Sequence, residues 1–130
     1  GRLYNWYVIN DPRNIAPVGW RVPNYEDWDT LQIFLGYDLV AGGKLKEKGV
    51  SHWASPNAGA TNESGFTALP GGYLNSDESF YTFGYYGYWW SATENNEFNA
   101  WYFNMKYDDT AVYRSDNLKT NGYSIRCVQD

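Results

Sequence analysis

The 130 residues contain one cysteine, one histidine and one methionine, and their basic residues are scattered rather than clustered. A lone Cys127 excludes an internal disulfide framework and a thiolate zinc site. A lone His52 is too few for most catalytic metal centres, and no Ser/His/Asp arrangement can be built around it. Ten Lys and Arg against fifteen Asp and Glu give a net charge of −5. That balance, with no Lys/Arg cluster, argues against a nucleic-acid partner, whose phosphates demand one. The apolar stretches fall far short of the roughly 18–20 residues that a membrane span requires. Enzyme classes are weakened by these scarcities, and no cofactor is expected.

Aromatic residues are what the chain has in excess: seven Trp, thirteen Tyr and six Phe. Mean hydropathy is nevertheless −0.64, so the rings are interleaved with polar residues rather than grouped in runs. The length fits one domain, residues 1–130, with a single core. The abrupt start at Gly1-Arg2 reads as a domain cut from a larger surface protein.

Order along the chain predicts an α+β fold, with one or two short helices packed on a small antiparallel sheet and a long structured loop region. In "VGWRVPNYEDWDTLQIFLGYD", Asn24 can cap a helix whose first turn carries Glu26 and Asp27, where the helix dipole favours acids. Trp28, Leu31, Phe34 and Leu35 are taken as its buried face, and Gly36 as its stop. A second short helix is expected near Leu39 to Lys46 despite Gly42-Gly43. The Gly/Asn/Ser/Pro-rich middle holds too many aromatics for a disordered linker. The last third turns to period two: Trp101, Phe103, Met105 and Tyr107 inward, Tyr102, Asn104 and Lys106 outward. Asn121-Gly122 is a hairpin signal, followed by a strand with Tyr123, Ile125 and Cys127 inward.

Most partial motifs have plain readings. "AGGKLK" lacks the spacing of a phosphate loop and reads as a turn or a close backbone approach. Asn62-Glu63-Ser64 fits a glycosylation acceptor, which matters only in a secreted eukaryotic protein. Asp77, Glu78, Glu94, Asp108, Asp109 and Asp116 lack EF-hand spacing, and no metal site is assigned. Between 95 and 121, Asn, Tyr, Asp and Ser recur at outward or turn positions. The mixture resembles a paratope, in which Tyr gives contact area and Asn and Ser give adaptable hydrogen bonds. It equally describes polar turns joined by β-favoured tyrosines, and composition leaves both readings open.

"GRLYNWY", "GWRVPNYEDWDTL", "AGGKLK", "GATNESGFTALPGGY", "GYWWSATE", "AWYFNMKY" and "NGYSIRCVQD" together resemble the Fibrobacter succinogenes major paralogous domain, from Gly1 to Asp130. The resemblance implies a C-type-lectin-like fold, related to that of formylglycine-generating enzymes, with an N-terminal strand paired to the C-terminal one. It implies an extracellular or cell-surface setting in Bacteroidetes and Fibrobacteres. It also places the chain near proteins diversified by retroelements, whose hypervariable positions lie in the last strands and loops. The calcium motifs of sugar-binding lectins and the paired cysteines of formylglycine-generating enzymes are missing, so neither chemistry is implied.

The expected function is that of a non-catalytic, adhesin-like module for a glycan or protein ligand. Its expected surface is Trp90, Tyr102, Asn104, Tyr113, Asp116 and Asn117, edged by Asn95, Asn96 and Asn99. The rivals are a structural spacer in a surface assembly or pilus, and a carbohydrate-processing enzyme using Glu94 and Asp116.

Overall fold

The computed structural model describes residues 1–130. A 3-10 turn at Trp6–Val8 precedes β1 (Trp20–Arg21), α1 (Tyr25–Phe34) and α2 (Asp38–Leu45). Two short strands follow, β2 (Tyr73–Leu74) and β3 (Phe80–Tyr81). The long strands β4 (Tyr86–Glu94), β5 (Asn99–Lys106) and β6 (Val112–Leu118) come next, and β7 (Val128–Gln129) ends the chain. The antiparallel sheet β4-β5-β6 is central, while β2-β3 and β1-β7 form small antiparallel ribbons. The architecture is α+β, and no helix is long and apolar enough to cross a membrane.

The start of α1 is built as its sequence suggests. Asn24 Oδ1 accepts the Asp27 N–H at 2.8 Å, and the Asp27 carboxylate accepts the Asn24 N–H at 2.9 Å. This reciprocal box satisfies two backbone donors that the first turn leaves free. The same carboxylate pairs with Arg21, tying β1 to the helix entry and holding the Asp27 pKa below the usual range. Gly36 takes φ 102°, a conformation suited to glycine at a helix end. Phe34 is 84 % exposed, however, and does not belong to the buried face with Trp28 and Leu35. Six residues at about 100° each put it roughly 120° away from Trp28. Gln32 occupies the buried place instead, its amide donating to Trp28 O at 3.1 Å.

Gly42 and Gly43 are fully packed inside α2. A Cβ on Gly42 would lie 2.3 Å from Ala111 O, and one on Gly43 2.4 Å from Gly59 O. The pair therefore lets two loops lie directly on the helix, the close-approach reading of this motif. One turn later Lys46 is fully buried. Its Nζ donates to Ala58 O, Lys106 O and Asp109 O at 2.9, 2.9 and 2.8 Å. Burial pulls its pKa down to about 8, against Asp109 and Asp108, which favour the charged form. The ammonium thus holds the helix end, the long loop and the β5-β6 turn together.

The central sheet has apolar packing on both faces, which the two-face expectation did not foresee. On the helix side Trp28, Leu35, Leu45, Trp53, Trp89, Phe103, Met105 and Val112 form the larger core. Trp28 stacks on Phe103 with ring centroids 5.1 Å apart and planes 16° from parallel. Trp101 faces this side but is only half-buried, edge-on to Tyr25 at 5.3 Å. On the other face Trp6, Trp90, Ala100 and Tyr123 make a second core. Residues near 4–6 and 123 cross this face: Trp90 Nε1 donates to Tyr4 O, and Trp6 Nε1 to Ser91 O, both at 2.8 Å. The consecutive Trp89 and Trp90 therefore enter different cores, and neither lies at the surface.

Asn121-Gly122 does not make the expected hairpin. Leu118 O accepts the Asn121 N–H, and the chain then leaves β6. Gly122 bridges to Leu74, Tyr123 to Tyr4 and Ser124 to Trp89, so three separate segments are joined across this stretch. Long-range pairing has overridden the local turn preference. Within that stretch Tyr123 is buried, whereas Ile125 and Cys127 are only partly so.

Candidate functional site

Register fixes which side chains share the second face of the central sheet. Tyr86 lies opposite Lys106; Tyr88 opposite Asn104 and then Tyr113; Trp90 opposite Tyr102 and then Ser115. Alternation puts all of these on one face. Its Trp90 end is roofed by the second core, and the remainder is a surface walled by tyrosines.

The rings form a continuous array. Tyr88 meets Tyr102 at 5.6 Å, Tyr73 at 5.2 Å and Tyr86 at 6.3 Å, and Tyr73 stacks on Tyr81 at 5.4 Å. Beneath them Tyr123 contacts Tyr88 at 5.2 Å and Tyr102 at 5.0 Å. Most of these contacts are edge-to-face, a favoured aromatic geometry that also fixes each ring against its neighbour. Burial raises the Tyr88 hydroxyl pKa to about 12 and raises that of Tyr102 as well. Both remain neutral hydrogen-bond donors across the physiological range.

Two polar groups complete the face. Asn104 is 6 % exposed, and its side-chain amide makes no hydrogen bond within the protein, although its neighbours Tyr88 and Tyr113 flank it. Its polar atoms are not fully enclosed, so they reach solvent at this face and are open to a ligand's hydrogen bond. Lys106 Nζ lies 4.2 Å from the centre of the Tyr113 ring and 5.7 Å from that of Tyr86, without an ion-pair partner. Tyr113 is held by its hydroxyl donating to Asp109; that bond raises the phenol pKa and lowers the carboxyl. Lys46 anchors the backbone of this same corner through Lys106 O and Asp109 O.

The nine residues expected at a ligand surface divide into groups. Tyr102, Asn104 and Tyr113 do come together here. Asn117 adjoins them, donating to the Tyr123 hydroxyl at 3.1 Å. Trp90 is completely buried and is corrected from a contact residue to a core residue. Asp116 faces the other side, opposite Trp101, where its carboxylate accepts from Asn95 at 3.0 Å and Asn99 at 2.9 Å. Those two amides hold its pKa below the usual range. Asn96 shapes the β4-β5 turn by accepting the N–H groups of Phe98 and Asn99. Glu94 turns instead toward Asn10 and Lys119, whereas Asp116 engages Asn95 and Asn99. Tyr73, Tyr81, Tyr86 and Tyr88 escaped the sequence reading, which puts Lys106 on the outward face without assigning it to the ligand surface. The alternation Tyr86-Gly87-Tyr88-Trp89-Trp90 carried the signal for two of them.

A family model described as Fibrobacter succinogenes major domain matches residues 1–129. No curated protein and no solved structure matches the chain.

Proposed function

The chain belongs to the Fibrobacter succinogenes major domain family, and from that footing we propose a non-catalytic recognition module of a secreted or cell-surface protein, binding a glycan or a protein ligand. The observation that carries the reading is the unpartnered Asn104 amide set among Tyr88, Tyr102 and Tyr113 beside the Lys106 ammonium. Rigid tyrosines give contact area at low entropic cost, and a few convergent polar groups give orientation. A lectin-like fold agrees with β1 pairing to β7 and with two helices packed against one side of a small antiparallel sheet. Against catalysis stands the engagement of Glu94 and Asp116 with separate partners.

The test is a screen of the purified domain on glycan and protein arrays, in calcium and in EDTA. The reading expects a hit that survives EDTA and is lost in both Tyr113→Ser and Asn104→Ala. Hits that both variants retain would remove the tyrosine face from the account. An absence of hits on both arrays would favour the spacer role.

A further inference from the structure

A second concavity lies away from the tyrosine face, between the first residues of the chain, the 67–83 loop and residues 124–126. It is an open groove of about 620 Å3, within the usual size range of small-molecule sites. Its walls include Leu69, Phe80, Phe83, Trp89 and Ile125. Phe80 is 73 % and Phe83 78 % exposed, a large apolar area to leave in water. Arg2 and Arg126 are the only ionisable side chains in the lining apart from Tyr4, and no carboxylate lines it. This stands out in a chain with fifteen acids and ten bases, where a random wall would be acidic. Neither arginine has an ion-pair partner.

The wall is also held in place. Thr67 sits at φ 55°, a conformation rare for a β-branched residue. Asn62 fixes it, its Oδ1 accepting the Thr67 N–H at 2.8 Å and its Nδ2 donating to Thr67 Oγ1 at 2.9 Å. The Arg126 guanidinium lies 4.3 Å from the centre of the Phe66 ring and donates to Phe66 O. An apolar slot with aromatic walls and unpaired guanidinium groups matches a planar ring bearing one carboxylate. The ring would pack on Phe83 and Phe80, and the planar carboxylate would meet the arginine fork. We infer that this groove is a second binding site, distinct from the tyrosine face, and that it takes an aromatic carboxylate.

The probe is 1-naphthoate, compared with its uncharged relative 1-naphthalenemethanol, each titrated into the isotope-labelled protein and followed by amide chemical shifts. Naphthoate should give saturable shifts at Leu69, Phe83, Trp89 and Ile125, at least about tenfold tighter than the alcohol. Arg2→Gln combined with Arg126→Gln should erase that preference while the alcohol's affinity stays put. Phe83→Asp changes a side chain already in water, so the fold should persist, and it should weaken naphthoate by about tenfold or more. No saturable shift up to about 5 mM probe, equal binding of acid and alcohol, or shifts gathered at Tyr88 and Tyr102 would each overturn the assignment. None of these readouts depends on the ligand of the tyrosine face.

Discussion

Replacing Lys46 by Met tests whether one buried ammonium joins the helices to the β5-β6 turn. The methionine keeps most of the stem volume and removes the charge, leaving the carbonyls of Ala58, Lys106 and Asp109 without this donor. A buried polar group that loses its partner costs about 1–3 kcal/mol, so three together lose about 3–9 kcal/mol. Part of this returns, because the ammonium no longer has to be held out of water, and about 3–5 kcal/mol should remain. Unfolding entropy near 2.1 cal/mol/K per residue converts that loss into a fall of about 10–20 °C in Tm for this chain. Thermal denaturation by circular dichroism reads the fall, and hydrogen exchange should show faster opening at 106–111 than in α1. A fall below about 4 °C, roughly 1 kcal/mol, would refute the reasoning. So would exchange that rises equally throughout the domain.

Other outcomes follow from the same geometry. Trp90→Ala should destabilise the domain by about 3–5 kcal/mol in urea denaturation, because the ring is fully buried in the second core. Gly42→Ala should cost more than about 1 kcal/mol by the same measurement, against the slight gain expected in an open helix. The cause is the 2.3 Å approach of its new Cβ to Ala111 O. For Asp116 the folded pKa is lowered by Asn95 and Asn99, so the stability it contributes is present above its unfolded pKa and declines as the pH falls through the folded value. Carboxyl chemical shifts should place its titration below that of an ordinary aspartate, and Asn99→Ala should move it upward. An unmoved titration would contradict the role given to that amide.

Features encoded over a few residues were legible in the sequence. The Asn24 cap, the Gly36 stop, the second helix and the α+β order all depend on neighbours within a turn or two. The close approach at Gly42-Gly43 was legible as a type of contact, though not its partners Ala111 and Gly59. What failed depended on chain crossings. Period two assigned Tyr102 and Asn104 to solvent, but strand periodicity says only which residues share a face, not what covers it. Tyr123 packs on Tyr102 from a segment twenty-one positions later. That crossing turned Trp90 from a surface candidate into core and broke the Asn121-Gly122 hairpin. The candidate site was half legible for the same reason. Tyr102, Asn104 and Tyr113 carried the signal in β5 and β6, whereas Tyr73 and Tyr81 reach the face through a separate ribbon.

The central claim is that the tyrosine face, with Asn104 at its base, is where a ligand binds. Its most direct test is to label the tyrosine rings and titrate in the strongest array ligand, following ring and Asn104 amide resonances together. The account predicts saturable shifts at Tyr86, Tyr88, Tyr102, Tyr113 and the Asn104 side chain, with buried Tyr123 moving least. Shifts gathered at Tyr7 or Tyr37, with an unmoved Asn104 amide, would contradict it.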